Sequence, residues 1–263
     1  MADRIVYFHG QPGGPAELAL AGGADVAARA SVEAGDRARQ DPALGFAGRI
    51  AAQAQSLSGS PAPLRLIGFS LGAFVAMEVA MRLAEQAPSL PVSLELISPA
   101  APLTLGAFLP HMAGRDVFRL ARDAPAGFVA VTRFQGVAAV VAPALLVGRL
   151  FAGATGAEAA LTSDPAFRCG AARMFRGALA GGARIYRQDI LAYVSQDAAR
   201  LSRLERPVRI WQGLDDTWTP PPMADALARA LPNVTGVERL AGRSHYSTLQ
   251  LALPLAIQSA CSA

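Results

Sequence analysis

The pentapeptide Gly68-Phe69-Ser70-Leu71-Gly72 constrains this chain more than any other stretch. It is preceded by Leu64-Arg65-Leu66-Ile67, a short, apolar, β-competent run suited to a buried strand. The run that follows, 71–84, has no Pro and one Gly, and it is apolar on most faces, as a helix packed against a sheet requires. Ser70 therefore stands where a strand becomes a helix. Glycines two residues to either side let the backbone pass its neighbours without a Cβ clash. Such a turn presents the serine hydroxyl and sets the amide of Leu71 at a helix N-terminus, where partial positive charge favours an oxyanion. An ordinary strand-to-helix turn would also need glycine, so the pentapeptide alone assigns no chemistry.

With its strand and helix, the G-x-S-x-G element resembles the nucleophile elbow of the α/β-hydrolase family. Three further stretches carry the resemblance. The first strand, Ile5-Val6-Tyr7-Phe8, runs into His9-Gly10-Gln11-Pro12-Gly13-Gly14-Pro15, which looks like the family's His-Gly loop. By that resemblance the amide of Gln11 joins that of Leu71 as an oxyanion donor. His9 orients the loop instead of acting as base, and Gly10, Gly68 and Gly72 are supporting residues. Pro207-Val208-Arg209-Ile210-Trp211-Gln212 reads as a strand leading into Gly213-Leu214-Asp215-Asp216-Thr217-Trp218-Thr219-Pro220, similar to the family's acid loop. The match falls on Asp216, with Asp215 as the alternative because a one-residue shift would exchange them. Finally, Ala241-Gly242-Arg243-Ser244-His245-Tyr246-Ser247 places a loop histidine before a terminal helix over 248–259. Ser70, then Asp216, then His245 is the chain order this fold uses for nucleophile, acid and base.

The resemblance implies an α/β protein: a mostly parallel central sheet flanked by helices, with the N-terminal hairpin missing and an all-helical cap inserted. The core comprises 1–102 and 205–263, and the cap 103–204. Residues 43–57 read as a helix, and 28–34 as a poor strand candidate ahead of Gly35-Asp36-Arg37. Pro91 to Ser98 reads as a strand whose following turn, Pro99-Ala100-Ala101-Pro102, carries no acid. Within the cap, helices are expected over 116–122, 128–151, 166–179 and 187–204. Two more elements close the core, a helix over 222–231 and a strand over 234–240.

Composition excludes several classes. All 24 basic residues are arginine, the net charge is only +4, and aromatics make up 6% with no basic-aromatic stripe, so no nucleic-acid partner is expected. No metal, flavin or nicotinamide motif occurs, and neither a metal nor a cofactor is expected. Cys169 and Cys261 are far apart without metal-ligand spacing, which suits two unpaired thiols in a reducing cytoplasm. The start lacks a signal-peptide apolar region, and a cytoplasmic location is expected. Arginine outnumbers acid in the cap, which suits either an anionic partner or a solvated face. The stretch 134–148, between Arg133 and Arg149, is shorter than the roughly 20 apolar residues a membrane span needs and contains Pro143. It reads as a buried, kinked cap helix, so membrane contact is not expected; an amphipathic membrane-contact helix is the alternative. His111 reads as a buried, satisfied histidine. Oligomeric state is not legible.

These residues permit acyl transfer to water through an acyl-serine, with His245 as base and Asp216 fixing its tautomer. The expected activity is a serine hydrolase cleaving a small, apolar carboxylic ester or related acyl bond. The alternatives are a C–C bond hydrolase of aromatic degradation and a non-catalytic small-molecule binder on the same fold.

Overall fold

The computed structural model describes residues 2–258 apart from positions 21 and 23. Cys261, and the end of the terminal helix expected at Ser259, lie outside the described residues. The first half of the chain forms β1 (Arg4–Phe8), α1 (Glu17–Leu20), α2 (Ala24–Arg29), β2 (Glu33–Ala34), α3 (Gly45–Ser58), β3 (Leu64–Phe69), α4 (Leu71–Gln86) and β4 (Val92–Ile97). Helices then follow without a strand: α5 (Arg115–Asp123), α6 (Pro125–Val141), α7 (Pro143–Leu150), α8 (Gly156–Ser163), α9 (Pro165–Leu179) and α10 (Arg184–Val194). The chain returns to β5 (Val208–Gly213), α11 (Pro221–Ala230), β6 (Val234–Leu240) and α12 (His245–Gln258).

Among the described residues the strands make one six-stranded sheet in the order β2-β1-β3-β4-β5-β6, with every neighbouring pair parallel. Side chains alternate across it as the two-residue strand period demands. Val6, Phe8, Leu64, Leu66, Leu94, Leu96, Val208 and Ile210 join the core on the face covered by α3, α4 and α11. Ile5, Tyr7, Ile67, Phe69, Ile97 and Trp211 join the core on the face of α12 and α9. Burial on both faces explains why these strands read as continuous apolar runs.

Several elements differ from the sequence reading. The weak 28–34 region does contribute a strand, but only two residues pair with β1. The helix expected over 128–151 is two helices, α6 and α7, set at 117° to each other across Ala142–Pro143, because Pro143 cannot continue the helix and starts a new one at its first position. Helix α8 has no counterpart in the reading. The expected 187–204 helix ends at Val194 and resumes as a 3-10 segment, Ala198–Arg203, capped by Asp197. His111 is exposed, not buried. Segment 134–148 is not buried either: its inner side packs, while Phe134, Val137, Val141 and Leu145 face outward.

Candidate active site

Strand ends decide where the site lies. In a parallel sheet the loops after the strands gather at one edge, and ligands bind where neighbouring connections diverge. Here β1 and β3 are adjacent; β1 leads toward β2 on one side, while β3 leads into α4 and on to β4 on the other. The loops after β1, β3, β5 and β6 all open at this carboxyl edge. They carry His9–Gln11, Ser70, Asp216 and His245.

Ser70 sits between Phe69, the last residue of β3, and Leu71, the first of α4. Its φ of 55° and ψ of −124° fall in a region that non-glycine residues rarely occupy. Holding it there costs about 1–3 kcal/mol, offset by the surrounding structure. The offset is visible: Ser70 N donates to Ile97 O at 3.0 Å, and Ser70 O accepts from Ala73 N and Ala100 N at 3.0 and 3.2 Å. The flanking glycines are required by contact. A Cβ on Gly72 would lie 2.0 Å from Phe8 O, and one on Gly68 would lie 2.6 Å from Ala73 Cα. The end of β1 therefore crosses directly over the start of α4.

That crossing seats the His9–Pro15 loop on Ser70. A Cβ placed on Gly10 would be 3.3 Å from Ser70 Cβ. Gln11, Leu71 and Ser70 line one cavity, and the Leu71 amide, opening α4, has no acceptor within its own helix. His9 is buried. Its Nδ1 donates to Gly10 O at 2.8 Å and its Nε2 accepts from Arg37 N at 3.4 Å. Burial and then the Arg37 charge hold its pKa well below the ordinary histidine value, so the ring stays neutral and shapes the loop.

Asp216 and His245 meet across the ends of β5 and β6. Gly213 allows it: a Cβ there would sit 2.2 Å from Thr248 Oγ1 and 2.5 Å from Arg243 O. Asp216 is buried. Its Oδ1 accepts from Trp218 N and Thr219 N at 2.8 and 3.0 Å; its Oδ2 accepts from Thr219 Oγ1 at 3.0 Å and from His245 Nδ1 at 2.8 Å. Asp215, the alternative acid, is exposed and takes no part in this arrangement. His245 is the first residue of α12 and not, as the sequence suggested, a loop residue. With Nδ1–H committed to Asp216, Nε2 of the neutral ring is free to accept a proton. Burial opposes charging the ring, but the charge and hydrogen bond of Asp216, with help from Glu158 and Glu17, outweigh it and raise the pKa above the ordinary histidine value. The ring lies against Phe69, centroids 4.6 Å apart, next in sequence to Ser70. Ser70 and His245 line the same small cavity with Gly10, Gln11 and Tyr246.

Ser70 also lines a larger cavity of about 140 Å³. Its walls are Met112, Val117, Phe118, Leu146, Tyr186 and Ile190 from the helical insertion, facing Ser70 and Ala100 of the core. Ser70 thus lines both the apolar chamber and the cavity that holds the histidine.

The sequence matches the Thioesterase domain family over residues 24–117, a stretch that includes the Ser70 turn. No curated protein sequence matches the chain. Solved structures do. An esterase from Thermogutta terrifontis superposes with a TM-score of 0.65 at 16% identity, over 97% of this chain and 88% of that one. A bromoperoxidase from Bacillus anthracis gives 0.62 at 14% identity, over 97% and 90%. The enol-lactonase from Burkholderia xenovorans LB400 gives 0.59 at 14%, over 97% and 89%. The chain has the α/β-hydrolase fold.

Within this fold the site is braced by buried acids and arginines that the sequence did not disclose. Glu158 of α8 accepts from Tyr246 N and Ser247 N at 3.0 and 2.7 Å, so a carboxylate from the insertion caps the helix that begins with His245. Glu17 accepts from Tyr7 Oη and Gly10 N at 2.7 and 2.8 Å, beneath the His9 loop, and burial pushes its pKa up to about 7. Asp189 of α10 is fully buried; it pairs with Arg49 at 2.6 Å and Arg37 at 3.3 Å and accepts from Gln11 Nε2 at 2.8 Å. Arg37 in turn donates to His9 O. Two of these acids belong to the insertion and hold core residues more than 80 positions away in sequence. Asp189 gives a partial sequence signal, as an acid among Ile185, Tyr186, Ile190 and Tyr193. Glu158 gives none.

Proposed function

We propose that this chain is a serine hydrolase of small, apolar acyl esters or thioesters. The observation that carries the reading is the 2.8 Å Asp216–His245 hydrogen bond beside a strained serine that shares a cavity with the same imidazole. Ser70 Oγ attacks the acyl carbon while His245 Nε2 takes its proton, and the imidazolium is stabilised by Asp216. The amides of Gln11 and Leu71 hold the oxyanion; losing one such donor costs about 3–4 kcal/mol of barrier. Collapse returns the proton to the leaving group, and water repeats the sequence to release the acid.

The substrate class rests on the chamber. Its apolar walls suit an apolar acyl group, and about 140 Å³ is close to the volume that holds one benzene-sized guest. A short or aromatic acyl group therefore fits better than a long chain. The Thioesterase domain match supports including thioesters, and the esterase and lactonase neighbours support oxygen esters. The test is a panel of p-nitrophenyl esters and matching acyl thioesters of increasing chain length, with wild type and Ser70→Ala. Turnover peaking at short or aromatic acyl groups, and lost in the variant, is expected. Wild-type turnover by Ser70→Ala removes this serine from the mechanism.

A further inference from the structure

Among the described residues no single helix is long and apolar enough to cross a membrane, yet α6 and α7 present an unusual outer face. Val131, Phe134, Val137, Val140, Val141 and Leu145 lie on it, with Phe134 at 73% exposure, Val137 at 60%, Val141 at 77% and Leu145 at 61%. Their spacing of three and four residues aligns them along one side of α6, and the bend at Pro143 carries the stripe onto α7. A contiguous apolar face of this kind on a surface helix marks a contact site.

Charge decides what covers it. Between Asp123 and Glu158 the chain has no acid, and its only charges are Arg133, next to Phe134, and Arg149, four residues after Leu145, both exposed. Arg187 lies close to Arg133 and to the exposed Arg184: burial and then the charges of Arg133 and Arg184 hold the Arg187 guanidinium below its ordinary value. Among the described residues no carboxylate pairs with Arg133, Arg149 or Arg184. A second copy docking face to face would set arginine against arginine with no acid to relieve it. A surface that is apolar within and negative at its border meets the same face without conflict.

We propose that the outer face of α6 and α7 docks on the surface of an anionic lipid bilayer, with Phe134, Val137, Val141 and Leu145 entering the acyl boundary and Arg133 and Arg149 meeting the headgroups. The inner sides of the same two helices contribute Gln135, Leu146 and Leu150 to the chamber over Ser70, so docking sets the site next to the lipid phase. The surface binds whether or not Ser70 is catalytic.

Vesicle flotation tests it without recourse to turnover. Wild type is expected to float with vesicles of equal phosphatidylcholine and phosphatidylglycerol, and far less with phosphatidylcholine alone. The triple variant Phe134→Ser, Val141→Ser, Leu145→Ser should lose at least about tenfold in partitioning. Arg133→Glu with Arg149→Glu should lose roughly fivefold per arginine, and added salt should weaken wild-type binding. All five positions are exposed, and circular dichroism checks that the variants fold. Wild type that stays unbound, or a triple variant that floats as well as wild type, overturns the proposal. So does binding indifferent to headgroup charge and salt, or a wild-type dimer that the triple substitution dissociates without any vesicle binding.

Discussion

Single side chains set the chemistry, and their titration makes it testable. As the proposed base, His245 must be neutral to accept the serine proton, and its pKa is raised above the ordinary histidine value. The acidic limb of kcat/KM should therefore lie above pH 6.5, with activity falling as pH drops through it. Glu158 is one of the negative charges raising that pKa, so Glu158→Gln should move the limb to lower pH, read from the pH–rate profile. A purely structural role for Glu158 would lower activity without moving the limb. Asp216→Asn should reduce kcat by about four orders of magnitude, because the ring then loses its tautomer and its stabilising charge. Asp215→Asn should leave kcat near wild type, since that side chain is exposed and outside the hydrogen-bonded set.

At the level of elements, the site depends on backbones that touch. Gly72→Ala should reduce unfolding stability by more than about 3 kcal/mol in urea, because its Cβ would overlap the Phe8 carbonyl and neither chain segment has room to retreat. Asp189→Ala should cost a similar 3–5 kcal/mol by leaving the Arg49 and Arg37 guanidiniums buried without their carboxylate. The elbow, the His9 loop and the Asp216 turn were legible in sequence because each is a local pattern: an apolar strand, a glycine-rich turn, a polar side chain. The insertion was legible only as helical. Its breaks at Pro143 and Ser195, the added α8 and the outward face of α6 depend on how helices pack, which local apolar content does not encode. An apolar run can line a chamber with Leu146 and face solvent with Leu145.

Across the whole molecule, one sheet edge collects four loops, and the insertion closes over them while bracing them with Glu158 and Asp189. Pairings such as Asp189 with Arg49 span 140 positions, and no spacing rule predicts which distant charge answers which. Burying such groups also ties stability to pH. Glu17 has its pKa raised to about 7, so the fold favours its protonated form. Its contribution is fully present below the unfolded glutamate value and is lost as pH rises through about 7. His9, held neutral by burial, acts in the opposite direction as pH falls below the ordinary histidine value, so the difference between proteins is the clean measure. Glu17→Gln should match wild type near pH 4.5 and exceed it by about 3 kcal/mol above pH 8, measured as urea unfolding against pH.

In the proposed mechanism Ser70 is the nucleophile, activated by His245 in the cavity they share. Intact-protein mass spectrometry after treatment with a fluorophosphonate tests it most directly. One adduct per chain is expected, mapped to the peptide containing Ser70 and absent from both Ser70→Ala and His245→Ala. A protein that takes up no adduct, or an adduct that persists in Ser70→Ala, would contradict it.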